Sequence, residues 1–326
     1  MQTQVTTQWL YEGFKYEISS TLDSDTVDYY CGHVRRFFNW GDTAGLPKEA
    51  YLISKRHILS LFNHLLEETE ISIGNNGLRR KVHRTKESLW PYYRSLKRFF
   101  NWCVDEGYLD RGPIDGIKIE PPKDKPIDPW HPEHLDKISE LLEHDWKVAR
   151  TPRQQMLAAR DQAIFSLFLE SFIRLNELAE LKAEDIDIQQ KRVLVRKGKM
   201  GKGRLAGFGP KTQKSLWHYL GLRQSLTTRD ELWLTEEGLP LTSRGVQEIF
   251  RRLKRDAGLQ DIKGSIHKMR HTGATITLKH TRDMKGLKLL LGHSTLAMTE
   301  RYTQFIEAED ALKAYDGQGP LDWING

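Results

Sequence analysis

Cysteine is nearly absent from this chain. Cys31 and Cys103 are the only two in 326 residues, and both sit inside apolar helical patterns, which excludes a disulfide framework and a cysteine-built metal centre. No apolar run approaches the length of a membrane span, and the first residues lack the charged-then-apolar layout of a secretory signal. A cytoplasmic protein with no membrane partner is therefore expected. Nucleotide-binding fingerprints are missing as well: no G-x-G-x-x-G follows a strand, and no glycine loop ends in Gly-Lys-Ser/Thr. Internal repeats and low-complexity tracts are absent too. Neither a cofactor nor a metal is expected.

What the chain does have is positive charge, unevenly spread. The formal net charge is +6 with a pI near 9.1, which favours a polyanionic partner. Residues 1–120 balance 16 Lys/Arg against 16 Asp/Glu. Within that balanced stretch, Arg79 to Arg98 holds eight basic residues (Arg79, Arg80, Lys81, Arg84, Lys86, Arg94, Lys97, Arg98) against Glu87 alone. Trp90, Tyr92 and Tyr93 are interleaved there, the pattern of a face that tracks a phosphate backbone. A plain helical bundle with a solvated charged face would read similarly in this region by itself.

In chain order, residues 1–20 are weakly patterned and read as a partly ordered arm. From Ser24 onward, Val27, Tyr30, Val34, Phe37 and Phe38 recur at helical spacing. A second helix carries Ile58, Leu59, Phe62 and Leu65, and a third, over 86–106, carries Leu89, Tyr93, Leu96 and Phe100. Gly74 to Gly77 mark a turn between them. Residues 21–111 thus form a small helical domain. Five prolines within 112–131 make an extended connector, and two lobes so joined suit closure around a cylinder such as duplex DNA. A second domain spans 132–305, beginning with Pro132 in a helix's first turn and a strongly apolar helix over 154–170. Short strands follow at 185–188, 192–197 and 204–208. The last two flank a glycine-rich tip, Gly198 to Gly203, in a run of seven basic residues from Lys191 to Arg204 without an acid. Lys197, Lys202 and Arg204 are DNA-contact candidates. Residues 306–326 form a tail whose Leu321, Trp323 and Ile324 need a surface to bury against, and a neighbouring protomer is expected to provide it.

The stretch from His267 to Tyr302 is chemically unusual. His267 and Arg270 are three apart and share one helix face, with Ile266, Met269, Ile276 and Leu278 supplying an apolar side. Leu287 to Leu291 end at Gly292, a helix stop that delivers His293, and Tyr302 follows nine residues later. Upstream, Arg174 occupies a position that the apolar pattern would fill, with Glu177 one turn on. That pair is either a buried structural bridge or an arginine oriented towards an external phosphate. Arginine forks fit phosphate oxygens, histidine moves protons near neutrality, and tyrosine can attack phosphorus. His267 and His271 also have the i, i+4 spacing of a zinc helix. No glutamate lies between them, however, and Arg270 would repel a cation.

Arg174-Leu-Asn-Glu-Leu, a hairpin lysine, His267-Lys-Met-Arg270-His, Leu-Gly-His293 and Tyr302, in that order, resemble the tyrosine recombinase (phage integrase) family over roughly residues 24–305. The departures are Phe172-Ile173 before Arg174, where Gly-Leu or Gly-Met is usual, and Gly198-Lys199-Met200 in the hairpin, where Gly-Lys-Gly is common. The resemblance implies a mainly α protein with a small antiparallel sheet: a SAM-like helical core-binding domain followed by an α+β catalytic domain. It implies that Arg174 and Arg270 clamp the scissile phosphate and that Lys199 is the general acid. It further implies that His267 and His293 assist proton transfer, and that Tyr302 is the nucleophile of a metal-free transesterification through a 3′-phosphotyrosyl link. The implied partner is double-stranded DNA at specific recombination sites, gripped by a homotetramer on two duplexes. A type IB-like topoisomerase and a non-catalytic DNA-binding regulator of the same fold are the alternatives.

Overall fold

The computed structural model describes residues 5–73, 79–122, 128–196, 203–224, 227–262, 264 and 266–305. The chain divides into two compact units, Met1–Asp124 and Lys125–Gly326.

The first unit is helical. α1 (Thr7–Thr21) buries Leu10, Tyr11, Phe14 and Ile18, so the expected arm over 1–20 is instead a full helix of the core. Its apolar residues are separated by polar ones and by Gly13, and packing against α2 and α4, not local propensity, decides the outcome. α2 (Ser24–Ala44) starts where the Asp23 carboxylate accepts the Thr26 N–H at 2.9 Å and stops at Gly45, whose φ of 73° few other residues adopt cheaply. α3 (Lys55–Glu67) and α4 (Trp90–Asp105) complete the bundle, with Phe14, Phe37, Phe99 and Phe100 at its centre. Between them β1 (Thr69–Ile73) pairs antiparallel with β2 (Arg79–His83), Ile71 opposite Lys81. The sequence pattern shows only the turn there. Cys31 and Cys103 are buried free thiols.

The proposed connector begins later than its prolines suggest. Leu109, Ile114 and Ile117 join the first core, and the Tyr93 hydroxyl donates to the Ile117 carbonyl at 3.0 Å. At the other end Trp130 is buried in the second core and donates its backbone N–H to Thr272 Oγ1 at 2.8 Å.

The second unit is built round α6 (Pro152–Ser171), which is apolar on nearly every side because it is covered on nearly every side. α5 (Pro132–Val148), α8 (Pro210–Gln224) and α10 (His267–Thr281) pack on it. α7 (Leu175–Ala179) meets α9 (Ser243–Asp256). A three-stranded antiparallel sheet runs in the order β3 (Ile186–Asp187), β4 (Arg192–Val195), β5 (Arg204–Gly207), with Val193 opposite Ala206. α11 (Met284–Leu291) and α12 (Ala297–Glu300) close the unit. The fold is mainly α with one small sheet in the second unit, as the resemblance implied. Among the described residues no helix is long and apolar enough to cross a membrane.

Candidate active site

Arg174 reaches the site because α6 ends abruptly. Phe172 takes a left-handed conformation (φ 52°), Ile173 is wholly buried, and the chain turns so that Arg174 caps the short α7. Its backbone N–H and its Nη1 both donate to Glu177, at 2.7 and 2.8 Å. Glu177 is shared: Arg204 Nη1 and Nη2 donate to its two oxygens at 2.9 and 2.7 Å. Burial alone would raise the Glu177 pKa, but the Arg204 fork and the Arg174 N–H outweigh it and hold the carboxyl at about 2. The Arg174 side chain keeps 36% of its surface exposed, against 13% for Arg204. Arg204, a DNA-contact candidate, forms a bidentate pair with Glu177 through Nη1 and Nη2 and so helps to fix it, while its buried Nε has no hydrogen-bond partner among the described residues.

Arg270 is nearly buried in the first turn of α10. Nη1 donates to the Phe172 carbonyl and Nη2 to the Leu291 carbonyl, the latter at 2.7 Å. Burial, then the charges of Arg174 and Arg204, lower its pKa to about 10, so it stays cationic at neutral pH. His267, three residues earlier, has its pKa lowered by desolvation and by Arg270. Gly292 ends α11 in the left-handed region (φ 65°) and hands on His293, whose Nδ1 lies 3.0 Å from Thr299 Oγ1. Desolvation, then Arg270 and Arg174, push His293 down to about 4. His293 is therefore close enough to feel the charges of Arg270 and Arg174, and Arg270 that of Arg174.

Tyr302, just past α12, is 1% exposed and packs with Phe172, Ala274, Leu278, Leu287 and Leu291. Burial raises its pKa, opposed by Arg270 and Arg301. Its hydroxyl lies 2.7 Å from Nδ1 of His271. His271 is the residue that sequence reasoning passed over, having weighed it only as a metal ligand beside His267; its position next to Arg270 was the available signal. Ile276, expected on the apolar side of α10, is exposed because it points away from this small core.

The remaining candidates sort by what already holds them. Lys197, Lys199 and Lys202 lie outside the described residues, as does the tail 306–326. Arg79, Arg80 and Lys81 fall on β2, with Lys81 exposed. Arg84 is engaged: it donates to the Tyr92 hydroxyl at 2.9 Å and pairs with Glu68 at 3.7 Å. Lys86 is exposed. Arg94, Lys97 and Arg98 form one exposed face of α4, with Arg94 and Arg98 over the Tyr30 ring at 5.7 and 4.8 Å and Lys97 over Tyr93 at 5.8 Å.

Residues 135–309 match the phage integrase family. A tyrosine recombinase XerC of Oceanobacillus iheyensis is 30% identical over 294 residues, 88% of each chain. A XerC of Shewanella amazonensis is 30% identical over 253 residues, 75% of this chain and 80% of that one. Among solved structures, a XerH site-specific recombinase bound to its palindromic difH substrate, in a post-cleavage complex, aligns with TM-score 0.71 over 97% of this chain and 98% of its own, at 17% identity. The Tn1549 transposon integrase in complex with circular intermediate DNA aligns at 0.68, covering 95% and 99%, at 18% identity. At such identities the structural likeness speaks for the fold.

Proposed function

From the premise that this chain belongs to the phage integrase family and is a site-specific tyrosine recombinase, a DNA strand-breaking and rejoining transesterase, we propose how its own residues do the chemistry. A phosphodiester carries one negative charge and gains another as a nucleophile adds. Arg174, oriented by Glu177, and Arg270, pinned by two main-chain carbonyls, clamp the scissile phosphate. His267 and His293 donate to its oxygens and assist proton transfer. Each such preorganised donor is typically worth about 10²–10³ in rate. Tyr302 attacks phosphorus and becomes linked to the 3′ phosphate, and the 5′ hydroxyl leaves with a proton from Lys199, a step worth about 10²–10⁴. The phosphotyrosine conserves the bond energy, so religation needs neither ATP nor metal.

The observation that carries this reading is Arg270, whose guanidinium bonds the carbonyls of Phe172 and Leu291 and so ties together the segments that carry Arg174 and His293, beside the core in which Tyr302 is buried. The double-stranded partner is held by cations of both units: Arg94, Lys97 and Arg98 on α4, and the hairpin Lys197, Lys199 and Lys202. Four protomers assemble on two duplexes, each passing its 306–326 tail to a neighbour. In the cell the enzyme is cytoplasmic and joins the nucleoid when bound to its sites. The test is a nicked duplex carrying the recombination site: wild type leaves a denaturant-resistant adduct and Tyr302→Phe leaves none. An undiminished adduct in Tyr302→Phe overturns the assignment.

A further inference from the structure

The nucleophile of this reaction has one proton to lose, and one side chain stands where that proton would go. Nδ1 of His271 lies 2.7 Å from the Tyr302 hydroxyl, with the rings 5.8 Å apart and tilted by 41°. No other basic side chain shares a hydrogen bond with that hydroxyl among the described residues. Both terminal nitrogens of Arg270 donate to carbonyls, and Nδ1 of His293 is engaged by Thr299. His271 stands in the interior of α10, one residue beyond Arg270, so its ring is set by the same helix that sets the phosphate clamp.

Resting on the recombinase reading above, we propose that His271 is a catalytic residue that takes the Tyr302 proton as the phenolic oxygen attacks phosphorus. In cleavage the Oη–P bond forms and the P–O5′ bond breaks. The phenolic proton moves to Nδ1 of the Nε2–H tautomer, giving an imidazolium, while the 5′ oxygen is protonated by Lys199. In religation the 5′ hydroxyl returns its proton to Lys199 as the P–O5′ bond forms and the Oη–P bond breaks, and the departing phenolate recovers its proton from His271. The balance closes with no further reactant.

The surroundings suit the role. Facing His271 are Arg270 and His267 on its own helix, Arg301 and Tyr302 beyond α12, and His293 after α11. Desolvation, then Arg301, Arg270 and His267, lower its pKa to about 4, so at neutral pH the lone pair on Nδ1 is free to accept. A phosphate seated between Arg174 and Arg270 brings the opposite charge and raises the proton affinity of the imidazole when it is needed. A buried tyrosine hydroxyl also needs a partner simply to be buried, so the test separates proton transfer from hydrogen bonding.

A duplex pool of random sequence is first passed over wild-type protein, and covalently captured duplexes supply the probe; failure to capture any would defeat the recombinase reading itself, independently of His271. Single-turnover cleavage of that nicked probe is then compared for wild type, His271→Asn and His271→Gln, whose amides can bond the phenol but cannot take its proton. Each is also run on a probe whose scissile 5′ oxygen is replaced by sulfur, a leaving group that needs no acid. Thermal midpoints and binding of the uncleaved duplex identify the folded variants. The expected result is a loss of about 10²–10⁴ in cleavage rate with both probes. A folded amide variant within about threefold of wild type, or a defect that the sulfur probe repairs, overturns the proposal, since either places His271 off the nucleophile's proton path.

Discussion

Gly273 of α10 passes so close to the end of α6 that a Cβ there would stand 2.0 Å from the Leu169 carbonyl oxygen and 2.9 Å from the Phe172 ring. The contact joins the helix that carries Arg270 and His271 to the helix end that carries Phe172 and Arg174. Gly273→Ala must therefore push the two helices apart. It is expected to cost about 1–3 kcal/mol, the usual range for overpacking, or more, and to lower strand cleavage further than that loss explains. Gly221→Ala is the control. It lies in α8 with open space around it and should gain up to about 1 kcal/mol of helix propensity. Urea midpoints of the two variants read the contrast.

The Glu177 carboxylate, held between Arg174 and Arg204, makes a second prediction. Removing one partner of a buried pair generally costs about 3–5 kcal/mol, and the exposure of Arg174 brings the expectation for Glu177→Gln to about 2 kcal/mol. Its pH dependence has a definite sign. The folded pKa of about 2 lies below the ordinary 4.5, so the stabilisation is fully present above 4.5 and is lost as pH falls towards 2. Unfolding free energies of wild type and Glu177→Gln should converge over that window, and a constant gap would mean the charge is not what stabilises.

Two histidines act over a higher window. His271 and His293 titrate near 4 in the folded chain against an ordinary 6.5, so on acidification the unfolded state binds their protons first. The contribution of these two groups then falls as pH drops from about 6.5 to 4 and levels off below it, where the loss at Glu177 takes over. Wild type should show this slope in urea titrations at neutral, mildly acid and acid pH. A His271→Asn, His293→Asn double variant should be flatter over the same range.

How far the sequence announced all this depends on the distance over which each feature is determined. His267 and Arg270 share a helix face by spacing alone, Gly292 stops α11 by its own backbone freedom, and Glu177 lies one turn from Arg174. These local relationships were legible. Arg204 was not, because its link to Glu177 crosses 27 residues and only folding shows which of seven neighbouring cations meets that carboxylate. The same holds for the 31 residues between His271 and Tyr302. α1 escaped because its apolar residues are interrupted by polar ones and it is packing on α2 and α4 that orders it, and the Leu109–Ile117 stretch because few apolar residues mark it and contact with α4 holds it.

The cations of the first unit differ in what already holds them, and the same measurements on two variants test which of them contacts DNA. Arg84 has 11% of its side chain exposed and is held by Tyr92 and Glu68, so Arg84→Ala should lower the thermal midpoint and leave the salt dependence of DNA binding largely unchanged. Arg94 and Arg98 lie outside the core, over the Tyr30 ring. Replacing both with alanine should leave the unfolding free energy within about 0.5 kcal/mol of wild type, as surface changes do. If each contacts one phosphate, the slope of log affinity against log salt becomes shallower by about 0.9 per arginine, or about 1.8 in total. Fluorescence anisotropy on a duplex between low and moderate salt reads that slope. An unchanged slope in the double variant would move the DNA-tracking face of this unit from α4 to the β1–β2 hairpin, where Lys81 is exposed beside Arg79 and Arg80.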